Sequence, residues 1–332
     1  MKPYLQLTEQ GKARRLRKLV KKALTHYDLN VTRIRLMTNG VNGIFRLDTV
    51  DGQRYVMRVA TPDSGHNADH YHTEMTWLDV LHRETDLNAP IPLKTKSGEY
   101  IVTVADEGVP QPRHCCIFSW VKGRELGDDY SSETFELFGA LSAKLHKIGN
   151  QIALPNADKL PIYDTPFPFA EPNVIFDDEH QQHFTDEQLS LIEMAIGKVQ
   201  ADIDTLYQDT SGITIIHGDL HQWNVLLYRK QLSPIDFEDM MRAYPIQDIA
   251  VTLYYNRFDD NYEDLLAGFK RGYETIAPFP ETYTGQLETH ILSRRIGLVN
   301  FVLASEEYDI SEESYLIPRL IERIHYLQKH IW

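Results

Sequence analysis

The stretch from Ile213 to Asp239, ITIIHGDLHQWNVLLYRKQLSPIDFED, limits the fold more than any other part of the chain. An apolar, β-branched run, Ile213 to Ile216, stops at His217-Gly218-Asp219. A second run, Val225 to Leu227, follows, and Ser233-Pro234 precedes Ile235-Asp236-Phe237. Short apolar runs bounded by turn residues read as buried strands. Asp219, Asn224 and Asp236 then fall at strand ends, where oxygen-bearing side chains suit a hard cation or a proton.

Phosphoryl transfer needs such a set: one carboxylate takes the proton of the attacking hydroxyl, while an Asn and a second Asp hold Mg²⁺ on nucleotide phosphates. The five-residue step from Asp219 to Asn224 is that of a kinase-type catalytic loop. The competing reading is a polar loop whose Asp and Asn only close turns, and it has to explain three coincident features.

His217-Gly218-Asp219-Leu220-His221-Gln222-Trp223-Asn224, followed by Ile235-Asp236-Phe237-Glu238, resembles the aminoglycoside phosphotransferase family of kinase-like enzymes. Choline kinases and type II homoserine kinases are its relatives. Eukaryotic-type protein kinases match less well. They usually have Arg at Gly218, Lys at His221 and the Gly of D-F-G at Glu238.

The resemblance implies a two-lobed, protein-kinase-like α+β fold, with a small antiparallel-sheet N-terminal lobe and a mostly helical C-terminal lobe. At 332 residues the chain is long enough for two lobes, expected at 1–119 and 120–332. With 42% hydrophobic and 25% charged residues it has the balance of a globular protein. Its 34 Lys and Arg against 48 Asp and Glu give a net charge of −14. That balance disfavours nucleic acid, which needs clustered Lys and Arg, and tolerates a cationic small molecule. Adjacent Cys115 and Cys116 are poorly placed to bridge one another, and a reduced, cytoplasmic setting follows most simply. No apolar run approaches the roughly 20 residues of a membrane-spanning helix, so no membrane partner is expected.

Along the chain, Leu16, Val20 and Leu24 recur at helical spacing between basic residues, predicting an amphipathic helix from Thr8 to about Tyr27. Three alternating segments, 31–36, 44–50 and 54–59, predict an antiparallel unit, with Asp51-Gly52 as a hairpin signal. Its first turn carries Gly40, Asn42 and Gly43, which in a kinase-like fold would lie over the phosphates. Arg58 stands where the family usually has the Lys that contacts the α- and β-phosphates. Arg keeps the charge but is bulkier and planar. Glu74 shares a helical face with Trp77, Leu78 and Leu81, and a carboxylate on a buried face needs a cation. Arg58 is the candidate. His66, His70 and His72 read as polar loop histidines rather than a zinc site. Lys94 to Asp106 reads as another hairpin.

The resemblance makes 115–121 the hinge, whose backbone around Ser119 to Val121 would bond adenine. Further on, 133–149 and 185–207 predict helices, with a long Pro-, Asp- and His-rich segment between them. Asp248, in a D-I-A match, is expected to brace the catalytic loop, and Asp128, Asp129, Glu238 and Asp239 form a candidate acidic patch for an amine. By resemblance the activity is transfer of the γ-phosphate of ATP, with Mg²⁺, to a hydroxyl of a small molecule. Asp219 would be the catalytic base, and Asn224 and Asp236 the metal ligands. The alternatives are a Ser/Thr protein kinase of the same fold and a catalytically weak nucleotide-binding regulator.

Overall fold

A computed structural model describes residues 2–61, 66, 68–169, 171–305, 308 and 310–332. The chain divides into two compact units. The first comprises Met1–Arg124, Leu154–Lys159 and Ser233–Glu238; the second comprises Glu125–Ala153, Leu160–Leu232 and Asp239–Trp332.

The first unit opens with helix α1 (Glu9–Leu24), whose N-cap Thr8 accepts a hydrogen bond from the Gly11 N–H. Strands β1 (Val31–Asn39), β2 (Gly43–Thr49) and β3 (Arg54–Val59) follow, then helix α2 (Ala68–Glu84), β4 (Ile101–Val104) and β5 (Arg113–Ser119). These five strands form one antiparallel sheet in the order β1-β2-β3-β5-β4. Side chains alternate across a sheet, and the consequence is visible on β3. Met57 and Val59 enter the core shared with Leu16, Leu19 and Val20 of α1, while Arg58 between them takes partners on α2. The expected hairpin at 94–106 is realised only in part. Its turn closes, with Thr95 N–H bonding the Glu99 carbonyl, but only the second arm, β4, is a strand, and it pairs with β5. The two-residue strand β6 (Arg124–Glu125) closes this part of the chain.

The second unit is mostly helical. Helix α3 (Ser132–Gln151) packs on α6 (Tyr262–Glu274) at close range. A Cβ at Gly139 would fall 1.9 Å from the Phe269 carbonyl oxygen, so only glycine allows this crossing. Helices α4 (Asp186–Leu206), α7 (Gln286–Ala304) and α8 (Leu316–His330) bury Ile192, Val199, Leu292, Val299 and Ile324 in one core. Thr185 caps α4, its hydroxyl accepting from Gln188 N–H while the Gln188 side chain accepts from Thr185 N–H. Between these helices, β7 (Thr214–Ile216) pairs antiparallel with β10 (Met241–Ala243), and α5 (Pro245–Tyr254) begins directly after β10.

One strand lies earlier than its expected place. After β8 (Val225–Tyr228), β9 occupies Gln231–Pro234, and Ile235-Asp236-Phe237 is not extended strand. Asp236 has φ +62°, the left-handed region that a strand excludes.

Candidate active site

The chemistry-bearing side chains fall into two sets, one in each unit. In the second unit β7 ends at Ile216 and the chain turns through His217-Gly218-Asp219. Gly218 has φ +81°, and a Cβ there would fall 2.0 Å from the Asp239 carbonyl oxygen. Two independent constraints thus require glycine at this turn. Asp248, in the first turn of α5, accepts from the Gly218 N–H at Oδ1 (2.9 Å), and its Oδ2 meets His146 Nε2 at 2.9 Å. The other His146 nitrogen meets the Tyr273 hydroxyl at 3.0 Å. Asp248 therefore braces the loop through its backbone, and His146 is a satisfied structural histidine on α3. Thr252 adds a second tie from α5, donating to the Leu220 carbonyl at 2.6 Å.

That scaffold presents the Asp219 carboxylate, which is 19% exposed. Arg294 Nη2 donates to Oδ1 at 2.6 Å. Asn224 Nδ2 donates to Oδ2 at 3.0 Å and to the Asp219 carbonyl at 2.9 Å, and His221 Nε2 lies 3.2 Å from Oδ2. Burial by itself would raise the pKa of Asp219, but His221 and then Arg294 hold it well below the usual carboxylate range. The group is an anion at neutral pH. Because Asn224 bonds through its amide nitrogen, its Oδ1 is the atom that can meet a hard cation. Around this centre, His221, Trp223 and Tyr255 meet edge to face at 5.0 to 5.5 Å.

Arg294, on α7, is the residue that sequence reasoning missed. Its Nε is buried without a hydrogen-bond partner among the described residues, and its pKa is raised: burial works against the charge, and Asp219, Tyr255 and Tyr163 outweigh it. No motif marks it, and 75 residues separate it from Asp219. Glu171, from the long segment after α3, lies within electrostatic reach of Arg294, and burial raises its pKa.

In the first unit, Arg58 and Glu74 form a bidentate pair, Nη1 to Oε1 at 3.0 Å and Nη2 to Oε2. The residues are 3% and 1% exposed. Burial pushes the Glu74 pKa up and Arg58 opposes it. The guanidinium lies over Tyr71 at 5.2 Å and Phe118 at 5.4 Å. Asp236 belongs to this unit, its Oδ1 3.9 Å from Arg58 Nη1 and its side chain 51% exposed. Gly40 and Asn42 lie in the β1–β2 turn, and Gly43 begins β2. Gly40 has open space around its Cβ position, whereas one at Gly43 would lie 3.1 Å from Leu16.

At the end of β5, the Ser119 N–H bonds the Ile91 carbonyl, its hydroxyl accepts from Ile91 N–H, and the Trp120 N–H bonds the Arg54 carbonyl. Of 119–121, only Val121 makes no backbone hydrogen bond among the described residues.

Two sequence expectations are corrected. His70 is not a polar loop residue: it lies on α2, is buried, stacks on His66 at 4.1 Å and meets the Glu238 carbonyl at 2.5 Å. Glu238 does not join Asp128 and Asp129 in an exposed acidic patch for an amine, since it is buried and hydrogen-bonded while they are exposed. Among the described residues no group of three or more His, Cys, Asp or Glu is placed to hold a metal ion. A Mg²⁺ site needs only one or two carboxylates beside other oxygens; in the second unit Asn224 Oδ1 is an oxygen of that kind, and in the first unit Asp236 presents an exposed carboxylate. No helix of the described residues is long and apolar enough to cross a membrane.

The phosphotransferase enzyme family, compared with this chain, matches residues 34–284. The chain belongs to that family. Amicoumacin kinase of Bacillus subtilis (strain 168) is 20% identical over 265 residues, covering 76% of this chain and 74% of that one. Among solved structures, an amicoumacin kinase superposes with a TM-score of 0.73 at 15% identity, over 96% of both chains. A microcompartment-associated aminopropanol kinase gives 0.69 at 20% identity, covering 93% of this chain and 94% of that one. A spectinomycin phosphotransferase gives 0.66 at 12%, covering 93% and 97%. At these identities the structures show a shared kinase-like α+β fold. This phosphotransferase transfers the γ-phosphate of ATP, with a divalent cation, to a hydroxyl of a small molecule.

Proposed function

We propose that Asp219 orients the acceptor hydroxyl and takes its proton, that Asn224 and Asp236 are the Mg²⁺ ligands, and that Arg58, held by Glu74, steers the α- and β-phosphates. As the acceptor oxygen bonds to the γ-phosphorus, the bond to the β-phosphate oxygen breaks and the hydroxyl proton passes to Asp219. Bound Mg²⁺ supplies neutralising charge to the phosphate oxygens. The turn carrying Gly40, Asn42 and Gly43 offers backbone N–H groups to the phosphates, and the adenine is read through the backbone near Ser119 and Val121. Residues 1–119 are taken as the nucleotide lobe and 120–332 as the acceptor lobe.

The observation that carries this reading is the state of Asp219. An anionic carboxylate, fixed by Arg294, Asn224 and His221 and left partly open to solvent, is a prepared hydroxyl acceptor. Replacing Asp219 with Asn removes that acceptor and should suppress ADP formation while leaving AMP-PNP binding intact. Undiminished turnover would end the assignment.

The acceptor is best matched by a cationic molecule, an amine that also carries a hydroxyl. The first unit has 20 Lys and Arg against 16 Asp and Glu, whereas the second has 14 against 32. A field of that sign draws cations toward the Asp219 side. Half-buried Glu171 adds a carboxylate near Arg294. One structural relative is named for aminopropanol, an amine-bearing alcohol. An ATP-coupled screen of amino alcohols, amino sugars and their neutral analogues tests this, and equal turnover of amines and neutral analogues would remove the preference. A cytoplasmic setting suits the two buried, free cysteines.

A further inference from the structure

Arg58 is paired with Glu74, and a second carboxylate of the first unit, Glu238, lies beside it. Glu238, where D-F-G motifs have Gly, is 7% exposed. Its Oε1 accepts from the Tyr71 hydroxyl at 2.9 Å, its Oε2 accepts from the Asn42 side-chain amide, and Oε2 lies 3.7 Å from Arg58 Nη1. Its carbonyl meets His70 Nε2. Asn42 in turn accepts at Oδ1 from the Thr61 N–H at 3.0 Å. The guanidinium thus stands between two carboxylates, Glu74 bonded in two places and Glu238 beside Nη1. A Lys ammonium is a compact point charge, whereas a guanidinium offers a planar fork with donors on several edges. Here Nη1 and Nη2 both donate to Glu74, Nε is buried without a hydrogen-bond partner among the described residues, and Glu238 adds a second negative charge 3.7 Å from Nη1.

We propose that Glu238 is a positioning residue that acts through Arg58 and Asn42, locking the guanidinium and the Gly40–Gly43 turn into one arrangement for the nucleotide. The carboxylate holds three elements at once: β3 through Arg58, α2 through Tyr71, and the β1–β2 turn through Asn42. This inference rests on the assignment of Arg58 to the phosphates. It assigns Glu238 no contact with the nucleotide or the metal.

The test uses the 332-residue chain with Glu238→Gln, Tyr71→Phe, Arg58→Lys and the Glu238→Gln/Arg58→Lys double variant. Amide hydrogen exchange is followed over residues 39–43, AMP-PNP binding is measured with Mg²⁺ present, and the Mg²⁺ half-saturation and the KM values for ATP and acceptor are recorded. Losing a charged hydrogen-bond acceptor is expected to weaken AMP-PNP binding about 10-fold and to speed exchange at 39–43, with the acceptor KM unmoved. Tyr71→Phe should do the same to a smaller degree. The Arg58→Lys and Glu238→Gln losses should be less than additive, since each breaks the same unit. Unchanged exchange at 39–43 with a raised Mg²⁺ half-saturation would overturn the proposal and make Glu238 a metal ligand. Strict additivity would also overturn it. Should Glu238→Gln fail to fold, Tyr71→Phe and Asn42→Ala carry the exchange measurement. Failure of the Asp219 assignment would appear as turnover in Asp219→Asn with exchange at 39–43 untouched, so the two failures are separable.

Discussion

Arg58 and Asp219 are both held by opposite charges, yet the Arg58 side chain is 3% exposed and that of Asp219 is 19% exposed. Arg58 is enclosed by Glu74, Glu238, Tyr71 and Phe118, and no partner can leave without stranding a buried charge. Asp219 is met by Arg294, Asn224 and His221 at a margin that water can reach, where a contact is exchanged at small cost. The contrast fits the two tasks. A group that steers phosphates works best when fixed, whereas a group that receives a proton must release one contact to admit a hydroxyl.

The largest expected effect tests the open set. Asp219→Asn should lower kcat by about 10²- to 10⁴-fold, the range for a general base, with melting temperature within about a degree or two of the parent. A large loss of stability instead would mean that Asp219 belongs with the enclosed kind. Next, Arg58→Ala should destabilise the protein by about 3 to 5 kcal/mol, because Glu74 is left as an unpaired buried charge. Denaturant unfolding checks this, and a change below about 1 kcal/mol would erase the distinction between the sets.

Exposure rather than membership of a unit should govern the behaviour, and His290 separates the two. It lies in the second unit but is 2% exposed, 3.5 Å from Asp202 Oδ2, and Asp202 also accepts from the Tyr283 hydroxyl. Burial keeps the imidazole neutral, pulling its pKa down to about 4. The unfolded chain takes up a proton near pH 6.5 and the folded chain does not until about 4, so stability is lost as pH falls through that interval. The loss is roughly 3 kcal/mol, and His290→Gln should flatten the profile between pH 6.5 and 4.

The smallest effect sharpens the contrast. Arg294→Gln should change stability by less than about 1 kcal/mol while reducing kcat/KM for the acceptor about 10-fold, a figure on the scale of one charge-assisted hydrogen bond. Affinity for AMP-PNP should not move.

Local signals carried far into the fold. The helical spacing of Leu16, Val20 and Leu24, the Asp51-Gly52 turn and the alternating segments mark α1 and β1 to β3 because each depends on neighbours in sequence. Glu74 was legible as a buried carboxylate in need of Arg58, since the helical face of Trp77 and Leu78 already declares its burial. The remainder depends on distance. Arg294 reaches Asp219 from α7, with nothing around it in sequence to announce a partner. Glu238 reads as another acidic residue in an acidic chain until Asn42, Tyr71 and Arg58 are brought to it by the fold. His70 looked polar because its neighbours are polar, while its ring is covered by tertiary contacts. Asp236 shows a further limit: its φ of +62° ends a run that composition alone reads as strand.

Gly218 shapes what this sequence can become. The protein-kinase pattern has Arg at that position, and here even a methyl group would strike the Asp239 carbonyl. No single substitution leads from this loop to that one, because the segment around Asp239 would have to move before any side chain could enter. The two patterns are thus separated by a steric barrier in the space of sequences, which neutral drift at position 218 alone cannot cross.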